Sequence, residues 1–82
     1  MTKKIVVVGT SRGIGKALVD LLAKNENHEI LALGRNLGKM KSNFEKFSNV
    51  TCASLDLEET NVRERCIEIF GKLNRIDILI NN

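Results

Sequence analysis

The 82 residues include no proline, tyrosine or tryptophan, and three phenylalanines are the only aromatics. The missing tyrosine removes a whole class of proton donor and acceptor. Cysteine is nearly as scarce. Cys52 and Cys66 stand fourteen positions apart, form no C-x-x-C, and have only His28 for company. That set does not make a zinc or redox site, so metal binding is not expected. The two thiols read as buried and unpaired, and the histidine as a surface residue. Long apolar runs are absent too. The longest strand-like run, Ile5 to Val8, is far below the ~20 residues of a membrane span. It is also too short for a signal-peptide core, although Lys3-Lys4 precede it. The expectation is a cytoplasmic chain with no membrane partner, small enough for one domain.

What charge there is lies unevenly. Residues 1–50 hold nine Lys/Arg against four Asp/Glu, and residues 51–82 hold four against six. The basic half suits a phosphate-bearing small molecule. No basic run exceeds Lys3-Lys4 and no aromatics interleave with the charges, so nucleic acid is not the expected partner. The lysines from Lys16 to Lys46 read as solvated helix faces, and Phe44 with Phe47 as core.

Apolar spacing gives the order of elements. Ile5 to Val8 is apolar on both faces, as in a buried parallel strand. Ile14, Ala17, Leu18, Leu21 and Leu22 follow at helical spacing within residues 13–24. Ile30 to Leu33 is a second strand. Leu37, Met40, Phe44 and Phe47 mark a second helix, and Val50 to Leu55 a third strand. Val62, Cys66, Ile69, Phe70 and Leu73 predict a third helix within residues 59–72, and Ile76 to Ile80 a fourth strand. Strands alternating with helices imply an α/β fold with parallel pairing and right-handed crossovers. No linker or internal repeat divides the chain.

The first strand leads into Gly9-Thr10-Ser11-Arg12-Gly13-Ile14-Gly15. At such a turn, backbone N–H groups and a helix N-terminus can hold a phosphate. A P-loop is excluded, because Thr10 stands where its first glycine belongs and Ala17 where Ser/Thr belongs. G-x-G-x-x-G fails as well, with Leu18 at the third glycine position. The remaining spacing, G-x-x-x-G-x-G, fits a structural turn as well as a ligand loop.

Four motifs at four successive strand ends go further. Gly9-x-x-x-Gly13-Ile14-Gly15 resembles the T-G-x-x-x-G-I-G segment of the short-chain dehydrogenases/reductases. Gly34-Arg35-Asn36, Asp56-Leu57 and Asn81-Asn82 fall where that family closes its second, third and fourth strands. Asn81-Asn82 looks like the start of the family's N-N-A-G motif, cut after its second residue. Val8 departs from the pattern, standing where the family usually has Thr. The resemblance covers the whole chain and implies a Rossmann-type parallel sheet in the order 3-2-1-4, incomplete after the fourth strand. The expected domain is therefore 1–82, a partial dinucleotide-binding unit.

The end of the second strand selects the cofactor. A carboxylate there favours an unphosphorylated ribose. Here Gly34 is followed by Arg35 with no acid nearby in sequence, and Arg12 lies in the glycine turn. Two guanidiniums around a 2′-phosphate make fork-type, charge-assisted hydrogen bonds, each worth roughly 1.5–3 kcal/mol. The expected cofactor is NADP(H). From the family, Ser11 is similar to a residue that touches this phosphate, and Ile14 would offer its backbone N–H to the pyrophosphate. Asp56 would accept from the adenine amino group, Leu57 would present its backbone to the ring, and Asn81 would line the adenosine side. Asp56 also reads as a helix N-cap ahead of Glu58 and Glu59.

The resemblance further implies catalysis by a Tyr-x-x-x-Lys pair with Ser and Asn beyond the N-N-A-G motif. None of Ser11, Ser42, Ser48 and Ser54 matches the family's catalytic serine. No catalytic residue is therefore expected in the chain. The reading is the NADP(H)-binding N-terminal portion of a carbonyl/alcohol oxidoreductase, inactive alone. A non-catalytic Rossmann-like module for a nucleotide or a partner protein is the alternative. An uncovered fourth strand also predicts a homo-oligomer joined along its edge.

Overall fold

β-Branched Ile5-Val6-Val7-Val8 sits at the centre of the sheet, and this explains why its apolar run does not alternate. The computed structural model describes residues 2–82. Strand β1 (Lys3–Val8) is flanked by β2 (His28–Gly34) and β4 (Ile78–Asn81), and β3 (Val50–Ser54) lies outside β2. All pairings are parallel and the order is β3-β2-β1-β4. Helices α1 (Gly13–Leu22), α2 (Leu37–Phe44) and α3 (Val62–Phe70) make the crossovers.

Alternate residues of β1 feed two cores. Ile5 and Val7 pack with Val19, Ala23, Met40 and Phe44 of the α1/α2 layer. Val6 packs with Leu33, Leu55 and Ile69 on the α3 side. Ile5, Val6 and Val7 are all fully buried. Right-handed crossovers put α1 and α2 on one face, and reversing direction from β3 to β4 sends α3 to the other. The fourth strand, at the open edge, leaves Ile78 and Leu79 41% and 57% exposed.

Element bounds differ from the sequence expectation where side chains intervene. The β1 ladder begins at Lys3, paired with His28. Strand β4 starts at Ile78 rather than Ile76, and at Asp77 just before it the carboxylate accepts the Lys4 N–H at 2.7 Å while the Asp77 N–H donates to the Lys4 carbonyl at 2.8 Å. Helix α3 starts at Val62 rather than Glu59. Before it, Asp56 Oδ1 accepts the Glu58 N–H at 3.0 Å and the Asp56 carbonyl accepts the Glu59 N–H. Asp56 therefore closes its own turn and is not the cap of α3, whose N-cap is Asn61. Both thiols are half-buried rather than fully buried, Cys52 against one core and Cys66 against the other. His28 is half-buried as well, with Nδ1 2.7 Å from the Leu22 carbonyl, where it ties β2 to the end of α1.

Candidate functional site

Reversal of strand order between β1 and β4 opens a crevice at the carboxyl ends of the strands, the usual ligand position in such sheets. A cleft of about 550 Å³ lies there, lined by parts of the β1, β2 and β3 ends and by Asn82. Its geometry starts with the glycine turn. Gly9 and Gly13 have φ of +85° and +68°, a region in which only glycine sits without strain. Gly15 serves a different need. A Cβ there would stand 1.9 Å from the Gly9 carbonyl oxygen, so only its absence lets α1 rest against the strand end.

Thr10 anchors the turn from below. It is fully buried, its hydroxyl donates to the Leu33 carbonyl at 3.2 Å, and Met40 Sδ lies 2.9 Å away. The N–H groups of Gly9 and Thr10 reach the same Leu33 carbonyl at 2.7 and 3.1 Å. This supplies the hydroxyl anchor that Val8 lacks, two residues later in the chain. On the β4 side, Asn82 N–H donates to the Val8 carbonyl and Asn82 Nδ2 to the Gly9 carbonyl, at 3.1 and 3.2 Å.

Above this floor the helix end is open to an anion. Arg12 is the N-cap of α1 in an extended conformation, makes no side-chain capping bond, and no acid follows in the first turn. Orphan N–H groups and the positive end of the helix dipole therefore face the turn without a carboxylate to satisfy them. At α2 the N-cap is used: Asn36 Oδ1 accepts the Lys39 N–H at 3.0 Å. Ser11 Oγ accepts the Asn36 N–H at 3.2 Å and so joins the two loops.

The cleft brings together Gly9, Ser11, Arg12, Gly34, Arg35, Asn36, Asp56 and Leu57 of the residues expected from sequence. Gly13, Ile14 and Gly15 open α1 beside it without lining it, and the Ile14 side chain is 76% exposed. Asn81 lies within β4, paired with Val8, and Asn82 takes the place in the lining. Sequence reasoning missed Lys39, Leu55 and Glu58 in the wall and Thr10 beneath it. Lys39 carried a signal, since it is three residues past the N-cap Asn36 and so in the first turn of a helix that starts at the cleft. One expectation needs correction. No acid is near Arg35 in sequence, but Asp56 is near in space, its Oδ2 3.6 Å from Arg35 Nε. Leu55 N–H bonds the Gly34 carbonyl at 2.8 Å and sets the two strand ends side by side.

Arg12, Arg35 and Lys39 thus stand against Asp56 and Glu58 around one cleft. An uncapped helix N-terminus, a glycine at the one place a Cβ would block α1, and three cations fit a phosphate-bearing dinucleotide. Among the described residues, no three His, Cys, Asp or Glu side chains cluster to hold a metal, and no helix is long and apolar enough to cross a membrane.

Known proteins share this fold. The family model described as short chain dehydrogenase matches residues 3–82. The chain is 36% identical to a 3-oxoacyl-[acyl-carrier-protein] reductase FabG of Chlamydia pneumoniae, over 98% of this chain and 34% of that protein. It is 32% identical to carbonyl reductase family member 4 of Xenopus tropicalis, over 100% of this chain and 35% of that protein. Among solved structures it is similar to YwfH, an NADPH dependent reductase involved in bacilysin biosynthesis. The TM-score is 0.82 at 28% identity, covering 100% of this chain and 35% of that one. The chain thus spans about a third of the length of the curated relatives it matches. Sheet order, glycine turn and a family match over nearly every residue agree: the chain belongs to the short-chain dehydrogenase family.

Proposed function

We propose that these residues bind NADP(H) for a reductase or dehydrogenase that interconverts carbonyl and alcohol groups. The observation that carries the reading is the set Arg12, Arg35 and Lys39 around one cleft, beside the uncapped start of α1. The similarity to an NADPH dependent reductase supports it. Bound there, the cofactor would supply hydride chemistry at its nicotinamide end. The residues of this chain would do the holding. The Ile14 N–H and its neighbours in the first turn of α1 would receive the pyrophosphate. Ser11, Arg12 and Arg35 would surround the ribose 2′-phosphate, and Asp56 and Leu57 would meet the adenine. On the adenosine side the β4 end would contribute through Asn82, which lines the cleft where Asn81 does not.

Titration calorimetry tests this. NADPH should bind more tightly than NADH, and 2′,5′-ADP should retain most of the NADPH affinity. Arg35→Asp should weaken NADPH by at least ~1.4 kcal/mol, or tenfold. Equal affinity for NADPH and NADH would sink the phosphate assignment.

The same reading includes self-association. Among the described residues β4 pairs with β1 alone, and Ile78 and Leu79 stay exposed beside its free edge. Antiparallel pairing of two β4 edges about a two-fold axis would satisfy both. Sedimentation should then show a species that grows with concentration; a single 9 kDa species at all concentrations would refute it.

A further inference from the structure

Of the three cations lining the cleft, Arg35 alone has a carboxylate within 4.0 Å among the described residues. The two members of this pair are not equally free. Asp56 is the fixed one: its side chain is 23% exposed, and Oδ1 is held by the Glu58 N–H at 3.0 Å. Arg35 is the open one, with a side chain 70% exposed. At 3.6 Å the Nε–Oδ2 contact is an ion pair without a well-formed hydrogen bond. Most of the guanidinium fork is therefore unspent, and a phosphate dianion is a better partner for it than this carboxylate.

We propose that Asp56 sets the degree of cofactor selectivity by acting as the resident counter-ion of Arg35, with which a ribose 2′-phosphate has to compete. This inference rests on the dinucleotide reading above. It assigns Asp56 a part that contact with adenine does not require, because adenine is common to both cofactors. An adenine contact changes the affinity for NADPH and NADH together. A counter-ion for Arg35 changes their ratio. With Asp56 in place, the phosphate has to compete for one of its three cations and faces a fixed negative charge while doing so. The preference for the phosphorylated cofactor is accordingly smaller than the bare cations would give.

The test is the ratio of dissociation constants, NADH over NADPH, measured by calorimetry on wild type, Asp56→Asn, Arg35→Gln and the double variant. Asparagine keeps the acceptor for the Glu58 N–H, and thermal unfolding checks that each variant is folded. Asp56→Asn should raise the ratio by about 1.5- to fivefold, the range expected for freeing an exposed ion pair. In the Arg35→Gln background the same change should move the ratio by less than about half as much, because the effect runs through Arg35. An unchanged ratio in Asp56→Asn overturns the inference. A fall overturns it too, since Asp56 would then be holding Arg35 in place for the phosphate. An equal rise with and without Arg35 means simple repulsion and overturns the pair. If wild type shows no preference for NADPH, the cofactor reading fails and takes this inference with it. If wild type prefers NADPH and only the Asp56→Asn ratio stays put, the cofactor reading stands and this inference alone falls.

Discussion

Gly15 and Gly38 are both helical glycines, and the same substitution should have opposite signs at the two. At Gly15, the third residue of α1, an added Cβ would stand 1.9 Å from the Gly9 carbonyl oxygen, 2.8 Å from its carbon and 2.9 Å from Asn82 Nδ2. The first two are backbone atoms of a turn pinned by Thr10, so no flexible side chain can swing aside. Helix α1 must retreat about 1.5 Å to restore ordinary contact, and a close-packed interior resists this. Overpacking of this kind costs roughly 1–3 kcal/mol, and a backbone clash belongs at the upper end. The better helix propensity of alanine returns up to ~1 kcal/mol. A net loss of about 1–2 kcal/mol lowers the midpoint of a domain this size by roughly 5–15 °C. At Gly38 the new Cβ meets only Asn36 Oδ1, at 3.8 Å, which is ordinary contact. Gly38→Ala should therefore gain about 0.5 kcal/mol from helix propensity and a less flexible unfolded chain, a rise of roughly 2–4 °C. Circular dichroism melts of the two variants against wild type make the comparison. Gly15→Ala melting at or above wild type would refute the close-approach argument, and so would equal shifts in the same direction.

Thr10→Val keeps the buried shape and removes the hydroxyl bond to Leu33, so urea unfolding should show a loss of about 0.5–1.5 kcal/mol; no loss would mean the backbone bonds to Leu33 hold the turn alone. The Lys4 backbone N–H, opposed by partial burial and then helped by Arg75, holds the Asp77 carboxyl below its ordinary 3.8. That charge stabilises the fold above the unfolded pKa, and its contribution drains away as pH falls through the lowered folded value. Melting temperature against pH should thus flatten in Asp77→Asn below about pH 4, and an unchanged acid limb would contradict the assignment. Incubating the 82-residue chain with NADPH and a panel of aldehydes and ketones should leave nicotinamide absorbance at background, because no tyrosine is present to move a proton; loss proportional to protein would require another proton donor.

The parts of the fold legible in the sequence are those written as repeating patterns. The run Ile5 to Val8 announces a doubly buried strand, and the stripes from Ile14, Leu37 and Val62 announce the helices. Right-handed crossovers then fix the faces. Element ends are less legible, because they depend on particular side-chain hydrogen bonds that an apolar pattern does not show. Asp77 meets Lys4, 73 residues away, just before β4, and Asp56 closes a local turn on Glu58 ahead of α3. The candidate site shows the same division. Glycines and strand-end residues can be read from spacing, since the strands bring their ends together by construction. The Arg35–Asp56 pair and the Thr10 anchor arise only when β3 lies beside β2 and α2 closes over the turn. Asn82 replaces Asn81 in the wall because β4 registers Asn81 against Val8, and the next residue reaches Gly9.

The central claim is that the cleft at the strand ends is where a 2′-phosphorylated adenosine binds. Amide chemical-shift mapping of the isotope-labelled chain with 2′,5′-ADP tests it most directly, with 5′-AMP as the comparison. The account predicts shifts at Gly9 to Gly15, Gly34 to Asn36, Lys39 and Asp56 to Glu58. With 5′-AMP the response at Arg12, Arg35 and Lys39 should be weaker and should saturate later. Shifts centred instead on the shallow hollow that Lys41, Phe44, Phe47, Val50 and Cys52 line beside α2, or identical titrations with both nucleotides, would contradict it.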